Sequence, residues 1–230
     1  MNAISEIRER IALEALKYIG NAKVIGVGTG STVGKFIEKL GEYRREFGDR
    51  LFIASSYDTI LKLREYGFKV IHPLMVSEID VYIDSADEVD KELNLVKGGG
   101  AALTLEKILT YYSKKRVFIV DYMKVVNWLG EKHPIPVDVI PYAVTMVYRY
   151  LKSRGYNVKV RYTTKGKYGP VISDIGGIIL DIKLDSPVNV RDLERELKSI
   201  PGVIETGLFI DLVDVLIVGY KDKVVVRKRS

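Results

Sequence analysis

Three short stretches of this chain carry residue types that could do chemistry together. The first, "NLVKGGGAALTLEKIL", begins at Asn94 and sets Lys97 directly before Gly98, Gly99 and Gly100, with Glu106 six residues beyond the last glycine. Glycine loses more backbone freedom on folding than any other residue, so three in a row mark a turn that nothing bulkier can make or a backbone that must come close to a ligand. Bare amides and a lysine ammonium would stabilise an oxyanion as it develops. A carboxylate beside them is the apparatus for removing a proton next to a carbonyl. The plainer alternative is a glycine turn, a surface lysine and a helix glutamate, in the second turn, paired with a nearby lysine. This stretch alone leaves that alternative ahead.

The second stretch, "GVGTGSTVGK", starts at Gly26. A nucleotide-hydrolase phosphate loop needs Gly, four residues, Gly, Lys and then Ser or Thr. Here Phe36 follows Gly34 and Lys35, and Thr29 stands where the first glycine belongs. A dinucleotide fingerprint also fails: its third glycine is replaced by Ser31 or, in the other frame, by Val33, and "FIASS" supplies no acid for a ribose. What remains is a helix N-terminus opened by glycine and rich in the hydroxyls of Thr29, Ser31 and Thr32. Free backbone N–H groups and the helix dipole there favour a phosphate, whereas an ordinary N-cap would need a single hydroxyl.

The third stretch, "DSADEVD", holds Asp84, Asp87, Glu88 and Asp90. A calcium loop fails on spacing and on its missing glycine. A magnesium site usually borrows ligands from a triphosphate, for which no loop is present. Asp84 and Asp87 either face a polar ligand such as a sugar or belong to a solvated, turn-forming acidic cluster.

The elements that must carry these stretches read as α/β. Apolar side chains recur at helical spacing over residues 3–19, and "STVGKFIEKLGEYRREF" reads as a helix capped by Ser31 or Thr32. Short β-branched runs ("AKVIGV", "RLFIAS", "KVIHP", "IDVYID", "KRVFIVD") alternate with helical segments. That alternation marks a mainly parallel sheet buried on both faces, and ligands bind beyond the carboxyl ends of such strands. "GTGST", "DSADE", "KGGG" and "DYMK" all follow strands and are expected to converge on that edge. Near "HPIPVDVIPYA" three prolines break the pattern. Beyond it a helix ("YAVTMVYRYLKSRG"), two strands ("YNVKVRYTT", "GIILDIKL"), a helix ("VRDLERELKSI") and a strand ("GVIETGLF") suit a small α+β unit of split βαβ type, and "DVLIVGY" is expected to return to the first sheet. The expected division is 1–132 plus 209–230 for a Rossmann-like domain and 133–208 for a smaller ferredoxin-like one.

Composition sets the outer limits. The chain has 230 residues, 47% hydrophobic and 29% charged, the balance of a soluble globular protein with no membrane role. No apolar run approaches the roughly 18 residues of a spanning helix, and "MNAISEIRER" lacks a signal-peptide core, so a cytoplasmic location is expected. There is no cysteine, which excludes disulfides and thiolate chemistry, and only two histidines, His72 and His133, without metal-ligand spacing. The formal charge of +6 gathers partly in "GYKDKVVVRKRS", read as a solvated basic tail with a preference for anionic substrates rather than for nucleic acid. The absence of glutamine as well as cysteine points weakly to a heat-adapted source.

Together these segments resemble the type A ribose-5-phosphate isomerases. The matching strings are "GVGTGSTV", "DSADEVD", "LVKGGGAALTLEKI", "VDYMKVVNWLG", "PIPVDVIPYA" and "IPGVIETGLF", in the family's order and over most of the chain. The resemblance implies interconversion of D-ribose 5-phosphate and D-ribulose 5-phosphate, with no metal or redox cofactor, by a homodimer or homotetramer. It implies that Glu106 is the general base and that Asp84 and Asp87 contact the sugar and assist ring opening, with Ser85 and Ala86 between them at the substrate. Lys97 and Gly98, Gly99 and Gly100 would surround the reacting carbonyl. Thr29, Gly30, Ser31 and Thr32 would form the phosphate side, Lys124 would bind substrate, and Arg8 falls where some members carry a basic residue near the phosphate. Ser85 stands where the family usually has glycine and takes φ > 0 less readily. Rival readings are a non-catalytic sugar-phosphate sensor, for which no DNA-binding segment is evident, and an amino-sugar phosphate deaminase or coenzyme A transferase, whose histidine or glutamate contexts differ.

Overall fold

The computed structural model describes residues 3–163, 166 and 168–229. In chain order the elements are α1 (Ala3–Leu16), β1 (Val24–Val27), α2 (Ser31–Glu42), α3 (Arg44–Phe47), β2 (Leu51–Ala54), α4 (Tyr57–Glu65), β3 (Lys69–Val70), β4 (Val81–Asp84), β5 (Glu88–Val89), β6 (Leu95–Val96), α5 (Leu103–Tyr111) and β7 (Arg116–Asp121). There follow β8 (Ile135–Val139), α6 (Val144–Ser153), β9 (Asn157–Val160), β10 (Ile178–Lys183), α7 (Val190–Lys198), β11 (Val203–Thr206), β12 (Leu208–Phe209), β13 (Val215–Gly219) and β14 (Val224–Lys228). Among the described residues no helix is long and apolar enough to cross a membrane.

The chain packs as two compact units: Met1–Ala86, Glu106–Lys124 and Leu212–Ser230 form the first, and Asp87–Leu105 with Val125–Asp211 the second. Residues 87–105, 125–132 and 209–211 therefore pack with the second unit, not with the first as the expected division had it. The reason lies in strand pairing: β5 and β6 join β12 in a separate antiparallel sheet.

The first unit is built on a seven-stranded sheet in the order β14-β13-β7-β4-β1-β2-β3, parallel except for β14. Its inner strands β1, β4, β7 and β13 are short and buried on both faces, which is why they read as continuous apolar runs. Helix α2 forms because Val33, Phe36, Ile37 and Leu40 fall at i, i+3, i+4 and i+7, and all four are buried in the core. Its N-cap is Gly30 at φ 110°, with no side-chain cap, so neither Ser31 nor Thr32 fills the capping position expected of it. The C-terminal segment read as a solvated tail is an edge strand instead: β14 pairs with β13 from Val215 opposite Lys228 to Gly219 opposite Val224.

In the second unit β8-α6-β9-β10-α7-β11 is a β-α-β-β-α-β arrangement with sheet order β11-β8-β10-β9, all antiparallel, around a core that includes Val137, Leu151, Leu180 and Leu197. Its first strand lies where three prolines had argued for a break. Pro136 fits because its carbonyl, the group it keeps, accepts the Gly207 N–H at 2.7 Å. The run "GVIETGLF" is two strands, not one, bent at Gly207, where a Cβ would fall 2.2 Å from the Lys97 carbonyl oxygen. Of the expected strand "YNVKVRYTT", Thr164 lies outside the described residues.

Candidate active site

Strands β1 and β4 are neighbours at the point where the strand order of the first unit reverses, and an open parallel sheet offers its crevice at the carboxyl ends there. Two of the three sequence stretches leave the sheet at this point. Asp84 ends β4 with its carboxylate against the backbone of Gly28, where an added Cβ would sit 1.9 Å from Asp84 Cγ. Gly26 is bare for a similar reason, since its Cβ would strike the Tyr82 ring at 2.6 Å. The glycines of "GVG" thus make room for the side chains of β4 as well as shaping a turn. Beyond Gly28 a chain of hydroxyls fixes the loop: Thr59 Oγ1 donates to the Gly28 carbonyl (2.7 Å), Ser56 Oγ lies 3.1 Å from Thr59 Oγ1, and Ser56 Oγ donates to Thr29 Oγ1 (3.0 Å). Gly34 N–H makes the first intrahelical bond of α2, to Gly30, which leaves the amides before it directed out of the helix end.

Asp84 is wholly buried and accepts hydrogen bonds from the Tyr82 hydroxyl and from the Ser85 N–H, each at 2.7 Å. Burial, then the charge of Asp84, then that of Glu106 push the Tyr82 phenol well above its ordinary value, so it stays a donor. The Glu106 carboxylate thus acts on the same phenol as Asp84. Glu106 is 2% exposed and stands in the first turn of α5, not the second, where the helix dipole favours a carboxylate. A solvated glutamate paired at the surface is excluded by that burial. Ser55 Oγ is also buried beside the phenol, without hydrogen-bond geometry. Arg8 faces Asp121 at 3.7 Å, and Arg8 Nε and Asp121 Oδ2 are buried without a hydrogen bond. Lys124 closes the 3-10 turn Tyr122–Lys124 that follows β7.

The acids of "DSADEVD" are not a solvated cluster. Each carboxylate collects backbone donors: Asp84 that of Ser85, Asp87 that of Gly99 (2.8 Å), Glu88 those of Gly130, Lys132 and His133 (2.6 Å each), and Asp90 those of Glu92 and Asn94 (2.9 Å each). Glu88 and Asp90 are spent on this and belong to the scaffold. Ser85 is not among the described residues with positive φ, so its replacement of a glycine strains nothing. Ala86, at 7% exposure, is packed away behind it.

In the second unit, Lys97 follows β6 and is 3% exposed, with its Nζ 5.6 Å from the centre of the Phe209 ring; it is not a surface lysine. "KGGG" thus follows a strand of the small antiparallel sheet, not one of the parallel sheet as the sequence had suggested. Gly98 adopts φ 105°, a conformation that requires glycine. Gly99 lies so close to Asp87 that a Cβ would be 2.9 Å from its Oδ1. The N–H of Gly99 is committed to Asp87, which leaves Lys97 and the other amides of the loop as the group to consider for an anionic oxygen.

Of the sequence-derived residues, Arg8, Thr29, Gly30, Ser31, Thr32, Asp84, Ser85, Ala86, Glu106 and Lys124 lie in the first unit, and Asp87, Lys97, Gly98, Gly99 and Gly100 in the second. Tyr82 and Arg161 were missed. Tyr82 sits two residues before Asp84 and so on the same side of its strand, a signal the sequence did contain. Among the described residues no group of three or more His, Asp or Glu side chains could hold a metal ion.

Residues 51–223 match the family Ribose 5-phosphate isomerase A (phosphoriboisomerase A). The chain is 41% identical over 218 residues to the ribose-5-phosphate isomerase A of Thermococcus kodakarensis, covering 94% of this chain and 95% of the relative. It is 42% identical over 223 residues to that of Pyrococcus horikoshii, covering 96% and 97%. A solved D-ribose-5-phosphate isomerase in complex with phospho-erythronic acid superposes with TM-score 0.92 at 42% identity, over 97% of this chain and 98% of that one. The ribose 5-phosphate isomerase A of Methanocaldococcus jannaschii does so with TM-score 0.91 at 38% identity, over 97% and 99%. A mainly parallel sheet with a carboxylate pair and its tyrosine at the switch point, joined to a β-α-β-β-α-β unit and matched over nearly its whole length, places the chain in the ribose 5-phosphate isomerase A family.

Proposed function

We propose that the protein interconverts D-ribose 5-phosphate and D-ribulose 5-phosphate by proton transfer through an enediolate. The observation that carries this reading is the buried Glu106 carboxylate at the head of α5, close enough to Tyr82 and Asp84 for their charges to act on one phenol. A buried base with a fixed neighbour is poised for a carbon acid, as in other sugar-phosphate isomerases that use a glutamate base beside an electrophile.

In the aldose-to-ketose direction Glu106 takes the proton from C2. The C2–H electron pair becomes the C1–C2 double bond, and the carbonyl pair moves onto O1. The proton of the O2 hydroxyl passes to O1, and Glu106 returns its proton to C1 as O2 becomes the ketone. Lys97 and the glycine amides are assigned to the oxygen that carries the negative charge. Asp84 and Asp87 are assigned to the sugar hydroxyls and to ring opening. Thr29, Gly30, Ser31 and Thr32, with Lys124 and Arg8, are assigned to the substrate's phosphate end. The helix end at Gly30, uncapped by any side chain, supports that assignment.

The test is a coupled assay of ribose 5-phosphate to ketopentose without added metal, run beside a C2-deuterated substrate. Turnover with a primary isotope effect, and release of the label to solvent on multiple turnovers, is the expected result. Absence of turnover on pentose phosphates, or turnover with the label held quantitatively between C2 and C1 as in a hydride shift, would refute it.

A further inference from the structure

The Lys97–Gly100 loop has little to hold it from within: the Ala101 N–H donates to the Gly98 carbonyl at 3.0 Å, and the Lys97 N–H reaches out to the Gly207 carbonyl at 2.9 Å. A run of glycines restrains its peptide planes very little, yet an oxyanion site works only if its donors are already aimed. Something else must hold the planes, and the second unit supplies it from residues far away in sequence. Arg161, just past β9, donates from Nη1 to the carbonyl of Gly98 (2.7 Å) and to that of Gly99 (3.2 Å). Its Nε donates to Asp181 Oδ2 at 2.8 Å, and Nη2 donates to Asp181 Oδ1, a two-pronged pair with a residue of β10. Arg161 is itself anchored: its N–H donates to the Ile179 carbonyl (2.9 Å) and its carbonyl accepts from Val171 (2.8 Å).

A planar trans peptide points its C=O and N–H to opposite edges. With the Gly98 carbonyl held on Arg161, the next N–H, that of Gly99, is turned the other way, and it is found on Asp87 at 2.8 Å. With the Gly99 carbonyl held on the same guanidinium, the N–H of Gly100 is likewise turned away from Arg161. One rigid fork on one side and one carboxylate on the other thus set the facing of two consecutive peptides. A lysine could not do the same, because a single ammonium on a flexible stem cannot grip Asp181 with two prongs and reach two carbonyls.

We propose that Arg161, braced by Asp181, is a positioning residue for the isomerisation: it fixes the orientation of the Gly98–Gly99 and Gly99–Gly100 peptides, the first against Asp87, and so the facing of the Gly100 amide offered to the reacting oxygen. This role rests on the isomerase reading above. Arg161 touches neither substrate nor proton; it acts through the loop. The consequence of losing it falls on kcat more than on KM, since the loop's amides matter most when charge develops and the phosphate end of the site is untouched.

The experiment compares the parent with Arg161→Lys and Arg161→Met in the full-length protein. Arg161→Lys keeps a cation against Asp181, so it tests geometry even where Arg161→Met folds poorly. Two readouts are taken: amide hydrogen exchange of the peptide spanning residues 95–102 without substrate, and kcat and KM for ribose 5-phosphate. The proposal expects exchange in 95–102 to quicken about tenfold or more in Arg161→Lys while that of β8 and β10 holds. It expects kcat to fall on the order of 10–100-fold, the size that a misplacement of about 1 Å produces, with KM within about threefold. Parent-like exchange in 95–102 would overturn the clamp itself, whatever happens to turnover. Quickened exchange with an unchanged kcat would overturn the positioning role and locate the error in assigning the glycine loop to the reacting carbonyl. Absence of turnover on ribose 5-phosphate in the parent, measured alongside, would sink the isomerase reading separately.

Discussion

Tyr82→Phe removes one oxygen from the centre of the site and should do measurable harm to both stability and turnover. Tyr82 and Asp84 are both fully buried, and the phenol donates to Asp84 Oδ2 at 2.7 Å. The ring itself would stay in place, packed edge-on to Phe118 at 6.3 Å and against Gly26. What is lost is one hydrogen bond to a buried carboxylate, worth about 1.5–3 kcal/mol. For a chain of this length each kcal/mol moves the melting temperature by roughly 2–4 °C, so thermal unfolding should come about 3–12 °C earlier. Asp84 also loses one of the partners that hold its rotamer, and kcat should fall roughly tenfold or more, since 1.36 kcal/mol is a factor of ten in rate. The assays are calorimetry at neutral pH and steady-state turnover on ribose 5-phosphate. A melting temperature within about 1 °C of the parent, with unchanged kcat, would show that the Tyr82–Asp84 bond contributes nothing and would refute the reasoning.

Gly28→Ala should be among the most damaging single substitutions, because its Cβ would occupy the place of the Asp84 carboxylate, 1.9 Å from Cγ, and overpacking a buried site costs about 1–3 kcal/mol or more. Gly34→Ala, inside α2 with only Lys62 Nζ at 3.7 Å, should instead gain roughly 0.5–1 kcal/mol in a denaturant melt, and a loss there would contradict the packing described. Ser31→Ala combined with Thr32→Ala should weaken binding of phosphorylated sugars, read by titration with phospho-erythronic acid, and unchanged affinity would remove these hydroxyls from the phosphate end. Asp80 is held below its ordinary value by the Val24 N–H, and further by the Lys23 N–H and Lys114, against the opposing effect of burial. A lowered folded value means that its contribution is complete above the unfolded value of about 3.9 and is lost as pH falls through the folded one. The stability gap between parent and Asp80→Asn should therefore be wide at about pH 6 and close at about pH 2; a gap that widened in acid would contradict the assigned bonds.

Helical and strand periodicity were legible wherever burial alone decides the pattern. Val33, Phe36, Ile37 and Leu40 announced the buried face of α2, and the apolar runs of β1, β4 and β7 announced a sheet covered on both sides. Where a residue's reason lies in a distant partner, local patterns were silent or misleading. Pro136 looked like a break because local rules penalise its missing N–H, while the structure uses only its carbonyl, toward Gly207. "VVVRKRS" looked like a charged tail because edge strands carry charge on their open side, yet its valines pair with β13. The acids of "DSADEVD" stayed undecided between a ligand-facing and a solvated cluster because nothing nearby in sequence reveals that Glu88 gathers three amides some forty residues away. Arg161 could not have been found at all: its hold on Gly98 spans 63 residues, and no short-range pattern encodes such a pairing.

The central claim is that the buried carboxylate at the head of α5 moves the substrate's proton, and the most direct measurement is the turnover of purified Glu106→Gln. The side chain keeps its shape and burial but has no basic lone pair of comparable strength. Turnover should drop by about 10²–10⁴-fold, with the melting temperature kept and phospho-erythronic acid still bound. A Glu106→Gln protein that isomerised ribose 5-phosphate at the parent's rate would contradict the account.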